Sequence, residues 1–512
     1  MKIFLLILIF GSIQKFGLSY NILGVFTFCQ YSHFSLGFQL LKSLADKGHN
    51  VTMISCFPQQ KPIKNYVDIS VKVGNNQDKV LGILSRAPEL KTMTHWTKLN
   101  FMAGLGELYS SVTFEVREVQ DLLNSDQKFD VVIQENFLNE AFAIFSYKFN
   151  CPSIMFVPTP TTFFSNYMVA NPWSPAFIPS IIGEYTAQMD FWQRLRNTYE
   201  QVLGEYFIHH REISIQNQML KKYIKGAPDL KSILYNTSLL FISSHVGFID
   251  PIPLQQNVIP IGGFHVTPPE PLPKKIKHFL DTAPYGVILF SMGSNKGITF
   301  NAWQKKDMLK VLAKLSQRVI CNVDLAPLET PGNVLVEDWL PQKDILAHPN
   351  TVAFISHGGL LGTTEAVYFG VPILGIPMFW DQAKNIEEVV AKGFAIRLDF
   401  EDINEKTFEA SLNKLVNDTS YRRRAKERSQ ILRDQPVNQR DQAVFWVEYV
   451  IRHKGAHHLK SAALKLNWYQ RYLLDIILFV TVTFIFIIFT ICYCIKLLVS
   501  MKNQTKLKSK IK

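Results

Sequence analysis

Short apolar runs alternate with amphipathic helical stretches in this chain, and the alternation occurs twice. Strands apolar on both faces belong to a buried parallel sheet, and parallel neighbours must be joined by crossovers, usually helices. The first set opens with NILGVFTF at 21–28. A helix follows in which Phe34, Phe38, Leu41 and Ala45 recur at helical spacing until Gly48 stops it. Further strands are expected at 51–55, 129–133, 153–157 and 239–243. The proline-rich VTPPEPLPK at 266–274 can continue neither element and reads as a linker. A second set begins at 286–294 and continues through RVICNV, 352–356 and 371–377. The economical fold is α/β, two doubly wound domains facing each other. Ligands in such domains bind beyond the carboxyl ends of the strands, so the cleft between them is the expected site.

Both ends of the chain read as targeting segments. Lys2 precedes the apolar IFLLILIF, and Gly17 and Ser19 offer small residues for cleavage, so 1–19 is expected to be a secretory signal. Residues 476–495 carry no charge between Asp475 and Lys496, about the length of a bilayer-crossing helix. The Lys-only tail at 496–512 belongs on the cytosolic side, which leaves the bulk of the chain luminal. Lys508 and Lys510 stand at dilysine spacing from the end, the spacing of a signal for return to the endoplasmic reticulum. The net charge of +12 would suggest nucleic acid if it lay on a folded face, but half of it is this tail. A second basic run at 421–440 is expected on the solvated face of a helix, so no nucleic-acid partner is expected.

Two of the six cysteines, Cys492 and Cys494, fall in the span. Cys29, Cys56, Cys151 and Cys321 are scattered, so neither a zinc site nor a disulfide framework is expected. Luminal sequons stand at Asn50, Asn236 and Asn417, with Asn50 the least favoured because it borders a buried strand. Between 81 and 223 the alternation breaks into an aromatic-rich insertion holding Phe163, Phe164, Tyr167, Trp173, Phe177, Tyr185, Phe191 and Trp192. Such a cluster is expected to be core more than pocket.

The strongest chemical signal lies at 339–382. His357, Gly358 and Gly359 follow a strand and precede a helix expected at 361–369, so backbone N–H groups and the helix dipole converge on an anion site. With WLPQ at 339–342, Glu365, GVPILGIP and WDQ at 380–382, this segment resembles the signature of the UDP-glycosyltransferase family, in the animal branch that includes UDP-glucuronosyltransferases. The Leu-Leu after HGG is similar to insect members, and the resemblance covers nearly the whole chain.

The resemblance implies a GT-B fold with two facing Rossmann-like domains and a single C-terminal span. It places Trp339 and Gln342 at the uracil and ribose, Glu365 on the ribose hydroxyls, and Ser291, Gly293 and Ser294 in the loop over the nucleotide. His357, Gly358 and Gly359 match the diphosphate cradle, and Asp381 and Gln382 the pair holding the transferred sugar. Leu361 and Asn322 depart from the family's Asn and Arg, leaving those two contacts open. His33, in the loop after the first strand, matches the general base, a task that suits an imidazole near neutrality. Its orienting carboxylate would be Glu135 rather than Asp130. The reaction implied is single displacement with inversion, from a UDP-sugar, glucose or glucuronate, to a small lipophilic acceptor.

Neither a cofactor nor a metal is expected, the UDP-sugar being a co-substrate, and self-association stays open. The expected division is a signal at 1–19, an acceptor-binding domain at 20–265 and a linker at 266–275. A UDP-sugar-binding domain at 276–450, a membrane-proximal segment at 451–475, the span at 476–495 and a basic tail at 496–512 follow. A membrane-tethered carrier without turnover is the competing reading. A nucleotide hydrolase would need a P-loop and metal-ligand carboxylates that the chain lacks.

Overall fold

The computed structural model describes residues 19–71, 93–293, 300–326, 328–378 and 380–510, without the side chains of 504–510. Most of the expected signal segment and Ser294 fall outside the described residues.

One folded unit runs to Leu459 and contains two parallel sheets. The first has the order β3-β2-β1-β4-β5-β6-β7, built from Asn21–Phe26 (β1), Asn50–Ser55 (β2), Tyr66–Ser70 (β3), Val131–Glu135 (β4), Ser153–Val157 (β5), Leu239–Ile242 (β6) and Val258–Pro260 (β7). The second has the order β10-β9-β8-β11-β12-β13. Its strands are Val287–Ser291 (β8), Arg318–Cys321 (β9), Val334–Val336 (β10), Thr351–Ser356 (β11), Ile373–Gly375 (β12) and Ala395–Arg397 (β13). Both are doubly wound, with the strand order reversing beside β1 and beside β8.

Each sheet is covered on both faces, which is why its strands read as continuous apolar runs. In β1, Leu23 and Val25 enter one core while Ile22 and Phe26 enter the other. Helix α1, Tyr31–Asp46, lies over the second of these faces through Phe34, Leu40, Leu41 and Leu44. Gly24 permits its close approach, because a Cβ there would stand 2.1 Å from Leu41 Cδ1. Truncating the fully buried Leu41 to alanine would cost about 2–5 kcal/mol.

Helix α2, His95–Glu115, and helix α3, Phe191–Phe207, belong to the insertion. The aromatic cluster expected to be core divides here. Phe163, Phe164, Tyr167 and Tyr185 are buried, whereas Phe177, Phe191 and Trp192 are 41%, 60% and 72% exposed. The short helix Phe163–Val169 packs its aromatics inward, while α3 turns Phe191, Trp192, Tyr199 and Tyr206 outward and buries only Phe207.

In the second sheet, helix α4, Leu360–Phe369, follows β11, and helix α5, Gln382–Ala391, follows β12. The basic run lies on the helix Thr419–Arg433, whose Ala425, Ser429 and Leu432 face in and whose arginines mostly face water. Helix α6, Gln439–Arg452, then returns to the first sheet, placing Ala443, Val444, Val447 and Val450 in the core beneath α1.

The expectation of no disulfide is corrected by a bond between Cys29 and Cys56. The two lie 27 residues apart, so no short spacing announces them. They meet because β1 and β2 are parallel neighbours in register, Phe26 opposite Ser55, and each cysteine follows just beyond its strand. All three sequon asparagines are exposed, including Asn50, which opens β2 while Val51 and Met53 point inward.

The second unit, Lys460–Lys512, carries helix α7, Leu474–Lys510. Its stretch Leu474–Asn503 has 30 residues, with a mean hydropathy of 2.8 over an 18-residue window, long and apolar enough to cross a bilayer. The helix outruns the charge-free 476–495 because nothing in the Lys-rich sequence that follows breaks it.

Candidate active site

Neighbouring strands at a reversal of strand order send their following segments to opposite faces, which opens a crevice at their carboxyl ends. In the first sheet this point lies between β1 and β4, whose register sets Val25 opposite Gln134. The crevice is therefore flanked by the segment after Phe26 and by Glu135, the last residue of β4. His33 stands in the first turn of α1, and its Nδ1 lies 2.5 Å from Glu135 Oε1.

Glu135 is fully buried and its Oε2 has no partner, so its carboxylate is committed to this contact. The hydrogen bond fixes the tautomer with the proton on Nδ1 and leaves Nε2 as the acceptor. Phe28 and Phe137 pack the imidazole at ring-centre distances of 4.5 and 4.8 Å. Asp130, the alternative carboxylate, sits at the opposite end of the strand and accepts a 2.7 Å bond from the Asn21 amide.

The second sheet repeats the device between β8 and β11. Ser291 Oγ, at the end of β8, accepts from the Gly293 amide at 3.3 Å. Ser356 Oγ, at the end of β11, accepts from the Gly358 amide at 3.2 Å. Both glycines have positive φ, +83° and +81°, the left-handed region that favours glycine.

His357 lies between the two loops. A Cβ on Gly293 would stand 2.7 Å from its Cε1, and one on Gly359 would stand 2.5 Å from its Nε2, so two glycines make room for this ring. Burial pushes the His357 imidazole down to about 4, and its Nδ1 has no partner. A neutral ring with an unspent polar atom thus sits beside the N-terminus of α4, where Gly359 provides no side-chain cap.

Gln342 Nε2 donates to Glu365 Oε2 at 2.7 Å. Burial raises the Glu365 carboxyl to about 7, partly offset by that hydrogen bond. Glu365 lies beyond the first turn of α4, so complementarity to the helix dipole does not account for it. Trp339 is 58% exposed and meets the Tyr31 ring edge-on at 5.3 Å. Of the two departures, Leu361 packs against the core of the first sheet, and Asn322 Oδ1 is buried without a partner.

Asp381 opens α5 directly after Trp380, a non-glycine residue at φ +69°. Burial raises its carboxyl, countered by a hydrogen bond from Asn385 and by the charge of His33. The expected sugar carboxylate therefore lies within electrostatic reach of the expected base. Gln382 is buried and its Oε1 accepts from the Met378 amide at 3.0 Å, a contact that shapes the turn.

Asn385 escapes a motif reading. Its Nδ2 donates to Asp381 Oδ2 at 2.7 Å and to the Gly358 carbonyl at 3.1 Å, tying the sugar loop to the diphosphate loop. The four-residue spacing from Asp381 on one helix face is the signal that would have found it. Beside Asp381, a small apolar pocket is lined by Phe137, Phe164, Ile181, Ile182 and Trp380. Among the described residues no His, Cys, Asp and Glu cluster is placed to hold a metal.

Residues 26–509 match the family model "UDP-glucoronosyl and UDP-glucosyl transferase". The chain is 38% identical to UDP-glucosyltransferase 2 of Dactylopius coccus over 98% of its own length and 99% of that protein's. It is 30% identical to human UDP-glucuronosyltransferase 2B7, covering 91% of each. Among solved structures, the calicheamicin glycosyltransferase CalG4 superposes with a TM-score of 0.57 at 16% identity, over 85% of this chain and 99% of that one. That likeness establishes the shared two-domain GT-B fold.

Proposed function

The chain belongs to the UDP-glucuronosyl and UDP-glucosyl transferase family and is a UDP-glycosyltransferase, and on that premise we propose how its own residues carry the reaction. A hexosyl group passes from a UDP-sugar to the hydroxyl of a small lipophilic acceptor by a single displacement that inverts the anomeric centre. His33 Nε2 takes the acceptor's proton as the new C–O bond forms, and Glu135 stabilises the imidazolium. The bond to the diphosphate breaks on the opposite side of the anomeric carbon. Its charge is met by the N–H groups opening α4, by the loops of Ser291, Gly293 and Ser294 and of Gly358 and Gly359, and by the His357 N–H. No metal ion or further cofactor is called on in this scheme.

Trp339 and Gln342 line the base and ribose, Glu365 takes the ribose hydroxyls, and Asp381 and Gln382 hold the sugar. The apolar lining beside Asp381 supports the lipophilic acceptor, since Phe137, which lines it, also packs against the His33 ring. The observation that carries the reading is the buried His33–Glu135 contact at a point of strand reversal.

The reading extends to a division into acceptor domain at 20–265, linker at 266–275 and UDP-sugar domain at 276–450. It also extends to a cleaved signal at 1–19 and a type I, single-pass placement in the endoplasmic reticulum membrane with a luminal site. Incubating membranes that contain the protein with UDP-glucose or UDP-glucuronate and a panel of phenols, then reading the product's anomeric configuration by NMR coupling constants, tests it. A β-glycoside from the α-configured donor is expected. An α-product, or turnover only with charged acceptors, overturns it.

A further inference from the structure

Trp380 holds a backbone conformation that its side chain disfavours. At φ +69° it stands in the left-handed region, where a bulky residue is an outlier and a glycine sits freely. The turn itself does not call for an indole, because it is closed around Trp380 by Gln382 Oε1 accepting from the Met378 amide. Such strain persists only where the surroundings over-determine it, and here they do so from the other domain. Trp380 is half-buried against the core on one face of the first sheet. Among the described residues it is the only apolar side chain from beyond Val258 to join that core. Its ring meets Phe137 edge-on at 6.4 Å, and Phe137 meets the His33 ring edge-on at 4.8 Å.

The same indole bounds the apolar pocket beside Asp381. Phe137, Phe164, Ile181 and Ile182 of the first domain line it, and Trp380 supplies the apolar wall from the second. Ring centres 6.4 Å apart in an edge-to-face pair are in direct contact, so no further ring fits between Trp380 and Phe137. The isoleucine wall is held from the second domain as well. Two residues on, Glu184 accepts from Arg397, the last residue of β13, at 2.8 Å, and Glu387 and Asp399 brace that guanidinium. The width of the pocket is therefore set by side chains that bridge the two domains.

We propose that Trp380 is the specificity-determining residue for acceptor size, its ring capping the pocket so that slim, single-ring phenols enter and longer ones are rejected. This rests on the reading of that pocket as the acceptor site. An indole braced on Phe137 cannot recede without breaking a ring contact, and a tight apolar wall discriminates about 10- to 200-fold against one methylene too many. A wall acts only on acceptors that reach it. Trp380 should therefore set the shape of the size profile, whereas a strut that merely supported the Asp381 loop would change every acceptor alike.

The test compares the full-length wild type with Trp380→Gly, which takes the same φ without strain, and with Trp380→Phe, which keeps a smaller aromatic wall. Each is loaded with UDP and titrated calorimetrically with phenol and its 4-ethyl, 4-butyl and 4-hexyl homologues, and transfer to the same series is assayed with a UDP-sugar. UDP affinity within about threefold of wild type reports that each variant is folded. Relative to phenol, Trp380→Gly should gain about 10- to 200-fold on the first homologue that the wild type rejects, with Trp380→Phe in between. Unchanged ratios, an equal loss for every homologue, or no binding by any phenol to any of the three proteins overturns the proposal. If the profile shifts in binding but no phenol is glycosylated, the cap stands and the acceptor reading fails. If transfer proceeds with an unshifted profile, the acceptor reading stands and the cap fails.

Discussion

Replacing Gly359 by alanine separates two reasons why a glycine can be required beside a phosphate. The first is that backbone must approach the ligand, and the second is that a neighbouring ring occupies the space. Gly359 has φ −60° and ψ 141°, a conformation open to alanine, so the substitution carries no backbone strain and trims unfolded-chain entropy by about 0.4–1 kcal/mol. Its new Cβ would stand 2.5 Å from His357 Nε2, where ordinary contact is about 3.5–4.0 Å, so the imidazole must retreat by about 1 Å. A hydrogen bond from that ring to a charged diphosphate contributes about 1.5–3 kcal/mol and does not survive such a shift. Gly359→Ala should therefore weaken UDP about 10- to 150-fold. With His357→Ala already in place the space is free, and Gly359→Ala should change UDP affinity by less than about threefold while leaving the fold at least as stable. Titration calorimetry of UDP into the wild type, both single variants and the double variant reads the coupling directly. Equal losses in the two backgrounds would refute the reasoning, because the glycine would then serve the backbone's approach and not the ring.

Three further perturbations bear on the site. Glu365 stays protonated in the fold up to about 7 while an unfolded glutamate ionises near its usual value, so it takes stability away as pH rises between those values. Glu365→Gln should raise the Tm at pH 8 more than at pH 5 and weaken UDP about tenfold, readable by calorimetry at both pH values. Asp381→Ala should leave UDP binding within about twofold while lowering transfer and shifting the preference between donor sugars, and a parallel loss of UDP affinity would misplace that carboxylate. Replacing Cys29 and Cys56 together by serine opens a loop of 27 residues and should cost about 3 kcal/mol of folding stability, seen as a lower Tm that reductant no longer changes.

The sequence made the central strands legible because a parallel strand covered on both faces must be apolar throughout, as in the fully buried SIMFV of β5. The edge and near-edge strands β3, β7, β10 and β13 escaped for the converse reason. They are short or half-exposed, and β3 carries Asp68 in its middle. The pairing of His33 with Glu135 is legible through the family resemblance, and the structure joins the two because β1 and β4 are topological neighbours. The Cys29–Cys56 bond is not legible, because its spacing depends on the length of the βαβ crossover. Nor could the return of α6 to the first sheet be read, as its apolar stripe does not say which layer it covers. The aromatic cluster misled because residue type favours the core on average and only the fold shows which members point inward, Phe163 and Phe164 being buried and Phe191 and Trp192 exposed.

The central claim is that His33 moves the acceptor's proton and does not bind the donor. His33→Ala, assayed for steady-state turnover and titrated with UDP in the same preparation, tests it most directly. Turnover should fall about 10²- to 10⁴-fold, the usual share of general-base catalysis, while UDP affinity stays within about threefold of wild type. Turnover within tenfold of wild type, or a loss of UDP affinity matching the loss of rate, would contradict the account.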